Sequence, residues 1–205
     1  MKRFTIILSL ALMLIAPGTF LAPAAAQSPE PGSFVTIFNG KSFDGWNKVG
    51  DANWRLVPDP AGDYAEADKS TGGSGFLVSA NSYGSFTFKV EFWADAPANS
   101  GVFIRVSDPK TITADNAYEI NIFDTRPDQT YRTGAIVNVA PPKKKVDAAN
   151  RWNTFEIIAD GPGMTVKMNG EILSEGFSPK FPRGPIALQY GAGVVRFRNA
   201  QIQVR

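Results

Sequence analysis

Phe86, Phe88, Val90 and Phe92 alternate with Thr87, Lys89, Glu91 and Trp93, a period of two that predicts a strand with one buried face and one solvated face. Further runs rich in β-branched and aromatic residues occupy 101–106, 117–124, 134–139, 152–159, 164–168, 185–190 and 194–204, with Gly, Pro, Asn and Asp clusters between them. Asn169-Gly170 separates two such runs and suits a type I′ hairpin, in which both central positions need positive φ. No stretch of helix length carries a 3.6-residue apolar period with caps. The pattern predicts an all-β protein: a two-sheet antiparallel sandwich of the jelly-roll kind, in one domain without an internal repeat.

One run mixes this alternation with chemistry. In YEINIFD (118–124), Tyr118, Ile120 and Ile122 alternate with Glu119 and Asn121, and Asp124 closes the segment. An extended chain therefore buries one face and presents a carboxylate and an amide on the other. That polar side is either a solvated strand face or the working edge of a site. In VFIRV, Arg105 is out of phase with Val102, Ile104 and Val106 and two positions from Phe103, so strict alternation predicts it on the polar face as well.

The beginning of the chain reads differently. Lys2 and Arg3 precede the apolar stretch FTIILSLALMLIA, and Ala24-Ala25-Ala26 stand before Gln27, the pattern of a cleaved signal peptide. The expected organisation is a signal peptide at 1–26, a Pro-rich leader at 27–33 and a single jelly-roll domain at 34–205. Periplasmic or secreted localisation follows. With no cysteine in the chain, lipid attachment through one is excluded, and no membrane anchor is expected after cleavage.

Composition narrows the chemistry. The formal charge of +2 equals the contribution of Lys2 and Arg3, so the remainder is balanced, which argues against a nucleic-acid partner. There is no histidine, which removes the usual general base near neutral pH and, together with the lack of cysteine, the usual zinc ligands. No cofactor is expected. Calcium is the one metal left open, since Asp, Asn and backbone oxygens suffice to bind it, but no ligand loop of recognisable spacing is present. Lys143 to Lys145 read as a solvated loop, and nothing in the pattern sets an oligomeric state.

IFNGKSFDGW (37–46), NSGVFIRV (99–106), YEINIFD, TGAIVNVAPP (133–142), RWNTFEIIADGPGMTVKMNG (151–170) and IALQYGAGVVRFRNAQIQV (186–204) resemble, in order and over nearly the whole chain beyond the leader, the motifs of the 3-keto-disaccharide hydrolase domain family. The resemblance implies a concanavalin-A-like or laminarinase-like jelly roll. It also implies hydrolysis of a disaccharide whose glucose unit has been oxidised to a ketone at carbon 3. Many members carry a His after the YE-x-x-x-x-D strand and another after the LQ near the end; here those stretches read DTRPDQ (124–129) and QYGAG (189–193).

A 3-keto sugar offers a route that needs no histidine. The ketone acidifies the hydrogen on carbon 2, so a carboxylate can remove it, the aglycone can leave carbon 1, and water can add back. Glu119 is the candidate base, Arg105 the oxyanion partner or sugar clamp, and Asp124 the acid. Asn121 and Gln189 are candidate hydroxyl-binding amides, and Trp93 is a candidate stacking platform for the saccharide. Against these stand plainer readings: a Glu119–Arg105 surface ion pair, Asp124 as a turn residue, Gln189 as a solvated amide and Trp93 as an inter-sheet contact. Arg126, Arg132, Arg196 and Arg198 are open to a charged saccharide, with a solvated sheet surface as the plainer reading. Two other functions compete. Glu119, Asn121 and Asp124 match the spacing of the E-x-D-x-x-E motif of laminarinase-type retaining β-glucanases, although Asn121 cannot ionise. A noncatalytic carbohydrate-binding module is the other.

Overall fold

The computed structural model describes residues 32–205; the predicted signal peptide and most of the leader lie outside the described residues. Two antiparallel sheets pack against each other as a jelly-roll sandwich. The eight-stranded sheet runs β11 (Glu171–Phe177), β10 (Gly163–Met168), β9 (Asn153–Asp160), β6 (Phe86–Ala94), β13 (Val195–Val204), β4 (Tyr64–Ala67) and β3 (Arg55–Val57), and β1 (Val35–Phe38) also pairs with β13. The five-stranded sheet runs β2 (Trp46–Val49), β5 (Gly75–Tyr83), β12 (Gly184–Ala192), β7 (Asn99–Ile104) and β8 (Tyr118–Ile122).

The alternation of β6 does what its pattern requires. Phe86, Phe88, Val90 and Phe92 are fully buried and meet residues of β9 and of the opposing sheet in one core, with the Phe92 and Phe155 rings 4.5 Å apart. Burial of each such ring contributes about 1.5–3 kcal/mol. From the five-stranded sheet, Leu77, Val102, Ile104, Ile120, Ile122 and Leu188 complete this core. Asn169 and Gly170, at φ 51° and 87°, form the expected turn between β10 and β11.

Two segments depart from the expected pattern. Residues 134–139 form no strand: Gly134 and Asn138 have positive φ, and the chain folds back so that the amides of Val139 and Ala140 both donate to the Ile136 carbonyl. Only isolated bridges tie Ile136 to Ile120 and Ala140. Conversely, β5 lies at the heart of the smaller sheet yet shows no alternation. Its first five residues are buried on both faces, because Leu77 enters the main core whereas Phe76 and Val78 join a second apolar cluster with Phe103, Val106, Ala117 and Ala187 on the opposite face.

That opposite face positions the site. The strand register aligns Val49, Phe76, Gln189, Gly101 and Asn121 in one row, and Asn47, Val78, Ala187, Phe103 and Glu119 in the next. At one end of the face the second cluster is capped by Ile112 from the loop after β7. Along the β8 edge the segment from Tyr131 to Ala140 folds over Asn121.

Candidate functional site

On the same face lies an open cleft of about 500 Å³. The sheet contributes Asn99 from β7, Glu119 from β8 and Gln189 from β12, and the loop after β8 contributes Phe123, Arg126, Pro127 and Asp128. Glu119 faces this cleft because β8 pairs with β7 without a register shift, so the residues alternating with Tyr118, Ile120 and Ile122 all turn away from the core.

Its neighbour across the sheet decides where the carboxyl lies. A Cβ on Gly101 would sit 3.2 Å from both Cγ and Oε1 of Glu119, so the absence of a side chain there lets Glu119 fold across β7 towards Gln189. The carboxyl is half-buried. Burial pushes its pKa from 4.5 up to about 7, and the positive charge of Arg126 acts in the opposite direction. Gln189 is only 9% exposed; its amide nitrogen donates to Ser74 Oγ at 3.4 Å, and its Oε1 has no partner. The cleft thus holds a carboxyl that titrates near neutrality beside a buried acceptor with no donor.

The other candidates are not brought to this place. Arg105 takes φ 53°, which ends β7 and breaks the alternation that would have set it beside Phe103. Its guanidinium is buried at the end of the sandwich, where Nε donates to the Gly84 carbonyl at 2.9 Å and Nη1 to the Gly161 carbonyl at 2.6 Å. Desolvation lowers its pKa. It pins the β5–β6 and β9–β10 connections and does not reach Glu119, so neither the oxyanion role nor the surface ion pair applies.

Asp124 lies on the core side, beside Ile122 and Ala98. Its Oδ1 accepts from Thr133 Oγ1 at 2.6 Å, and its Oδ2 accepts from the amides of Ala148 and Ala149 at 2.7 and 2.9 Å. The E-x-N-x-x-D spacing would bring a second carboxylate to the cleft only through a bulge, and β8 has none. Asp124 is an anchor for two loops.

Asn121 shares the face of Glu119 but is fully buried beneath the covering segment, donating from Nδ2 to the Tyr131 carbonyl at 2.5 Å. It holds the cover and has no access to the cleft. Trp93 does point away from the core, but β6 belongs to the eight-stranded sheet. There the Arg196 guanidinium stacks 4.3 Å from its ring and pairs with Glu66 at 2.5 Å, on the sheet that does not carry Glu119. Arg198 likewise pairs with Glu91 and stacks on Trp152.

Residues 33–203 match the profile of the 3-keto-alpha-glucoside-1,2-lyase-like domain. The chain belongs to that family. Among solved structures, this family domain is similar to a candidate glycosyl hydrolase from Parabacteroides distasonis ATCC 8503, at 22% identity over 85% of this chain and 100% of that one, with a TM-score of 0.69. It is also similar to the carbohydrate-binding module CBM66 from Bacillus subtilis, at 18% identity over 83% and 99% of the two chains and a TM-score of 0.59. A Bacillus licheniformis β-glucanase shares 13% identity over 87% and 100%, with a TM-score of 0.55. At these identities the likeness is one of fold, a scaffold that carries catalysis in some proteins and binding in others. No curated protein matches the chain significantly.

The reading from sequence missed Asp128, Asn99 and the role of Gly101, and it named Arg126 only as one of four arginines open to a saccharide or to solvent. The loop residues had a signal in their position directly after YEINIFD. Asn99 and Gly101 acquire meaning only through the register of β7 on β8 and β12.

Proposed function

We propose that the protein cleaves glycosides whose sugar carries a ketone at carbon 3, by elimination across carbons 1 and 2 followed by addition of water, with Glu119 as the base. The observation that carries this reading is the placement of Glu119: a half-buried carboxyl laid over Gly101 into an open cleft of a family domain named for such chemistry. Ionised Glu119 takes the proton from carbon 2. The electron pair of that C–H bond forms an enolate, which collapses to re-form the ketone and expels the aglycone oxygen from carbon 1 with its bonding pair. The leaving oxygen takes a proton, and water then adds to the unsaturated ketone.

Burial favours this step, because a carboxylate with a pKa of about 7 is a stronger base than an ordinary glutamate and is still substantially ionised at neutral pH. The free Oε1 of Gln189 suits a sugar hydroxyl, which would supply the donor it lacks. An elimination needs one well-placed base, whereas a retaining glycosidase needs two carboxylates about 5 Å apart, and Asp124 is committed to Thr133, Ala148 and Ala149. We further propose export to the periplasm or beyond, on the strength of the pattern at 1–26.

Incubating the purified protein with 3-keto-trehalose and following glucose release tests the reading. Release is expected from the wild type and not from Glu119→Gln. Saccharide binding without turnover of any keto sugar would instead make the protein a binding module.

A further inference from the structure

We propose that Arg126 is the group that binds the carbon-3 oxygen of the substrate and stabilises the enolate formed there; this rests on the reading of Glu119 as base. All the described arginines but one fall into two classes. Arg55, Arg132, Arg196, Arg198 and Arg205 each pair with a carboxylate, and Arg105, Arg151 and Arg183 donate to backbone carbonyls. Arg126 does neither: its guanidinium stands 5.9 Å from the Tyr131 ring and lines the cleft.

The loop that carries it is built to hold it there. The side-chain amide of Gln129 donates to the carbonyls of Arg126 and Asp124 at 2.6 and 3.2 Å, and the Arg126 amide donates to the Phe123 carbonyl at 3.4 Å. Phe123 is tied by its own amide to Thr133 Oγ1 at 2.8 Å, and Asp128 caps the 3-10 turn Gln129–Tyr131 by accepting from the Thr130 amide. The loop's hydrogen bonds are thus closed upon itself and upon the Asp124 anchor, and the free guanidinium is the part that remains for a ligand.

The charges around the cleft give that ligand its shape. Arg126 is close enough to act on Glu119, and Asp128 at the rim is the other carboxylate that feels it; Asn99 and Gln189 from the sheet are neutral. A substrate here meets the Glu119 carboxyl on the sheet, the Asp128 carboxylate at the rim, one cation and one free amide acceptor. Abstraction of a proton beside a ketone moves negative charge from the base to the ketone oxygen. A cation across the cleft from the base stabilises that transfer more than it stabilises the neutral ketone, and the planar donor fork of arginine suits an oxygen anion.

The test compares wild type, Arg126→Gln, Arg126→Lys and Glu119→Gln on 3-keto-trehalose across a pH series. Arg126→Gln should lower kcat/KM by about 100-fold, mostly in kcat, with part of the loss restored in Arg126→Lys or by added guanidinium chloride. The rising limb of kcat/KM should also move to higher pH, because the positive charge that favours ionised Glu119 is gone, a shift that a merely structural residue would not produce. Arg126→Gln within threefold of wild type, while Glu119→Gln is inactive, would overturn the role of Arg126 and leave the proposed function standing. A wild type that turns over no 3-keto-glycoside would overturn both.

Discussion

Replacing Glu119 by Gln should make the protein more stable at alkaline pH and leave its stability unchanged in acid. The folded chain holds the Glu119 proton up to a pH of about 7, whereas the unfolded chain releases it near 4.5. Below 4.5 both states are protonated and the group contributes no difference. Between 4.5 and 7 the folded state binds more proton than the unfolded state, so stability falls as pH rises, and above 7 the loss is complete. The gap between 4.5 and about 7 corresponds to about 3 kcal/mol, and water reaching the half-buried carboxylate reduces this to about 2 kcal/mol. Gln keeps the shape and has no proton to lose. Urea unfolding of both proteins at pH 4, 6 and 8 measures the effect, and at pH 8 the variant should melt about 4–8 °C higher. A difference between the two proteins that stays constant across this range would refute the assignment of a buried, neutral-pH carboxyl at 119.

The same carboxyl sets the kinetics: kcat/KM on a 3-keto-glycoside should rise with pH through an apparent pKa of about 7 and then level, since only the ionised form is the base, and a profile flat from pH 5 to 8 would contradict this. Gly101→Ala places a methyl group 3.2 Å from the Glu119 side chain, and the displaced base should lose about tenfold or more in kcat/KM with the fold retained by circular dichroism. Arg105→Met leaves the Gly84 and Gly161 carbonyls without their buried donor and should destabilise the fold by about 3 kcal/mol in urea titrations, with the folded fraction keeping its activity. Asp124→Asn keeps an oxygen for the Ala148 and Ala149 amides, so turnover should persist within severalfold; complete inactivity of a folded Asp124→Asn would restore Asp124 as the acid.

The sandwich was legible because its outer sheet obeys simple alternation: β6 and β9 show a period of two with core residues on one side, and Asn169-Gly170 marks its hairpin. The face of Glu119 was legible for the same reason. The strand β5 was not, since a strand covered on both sides reads as a continuous apolar run. Arg105 misled because one residue at φ 53° reverses the expected side, and a single backbone inversion leaves no trace in periodicity. Trp93 was placed on the correct face of its strand, but alternation gives side and never sheet membership, and β6 lies in the sheet that does not carry Glu119. Asp124 needed a bulge that the pairing of β7 with β8 does not contain. In the proposed site the Arg126 loop is held by local hydrogen bonds and follows the YEINIFD strand directly, whereas the gap at Gly101 depends on contacts between distant segments.

Proton abstraction from carbon 2 by Glu119 is the central claim, and isotope exchange at that carbon tests it most directly. A 3-keto-glucoside deuterated at carbon 2 should be cleaved several times more slowly than the unlabelled compound, and turnover in D2O should leave deuterium at carbon 2 of the released sugar, with neither cleavage nor deuterium incorporation in Glu119→Gln. Cleavage at equal rates with the carbon-2 hydrogen retained would mean direct hydrolysis at carbon 1 and would contradict the mechanism.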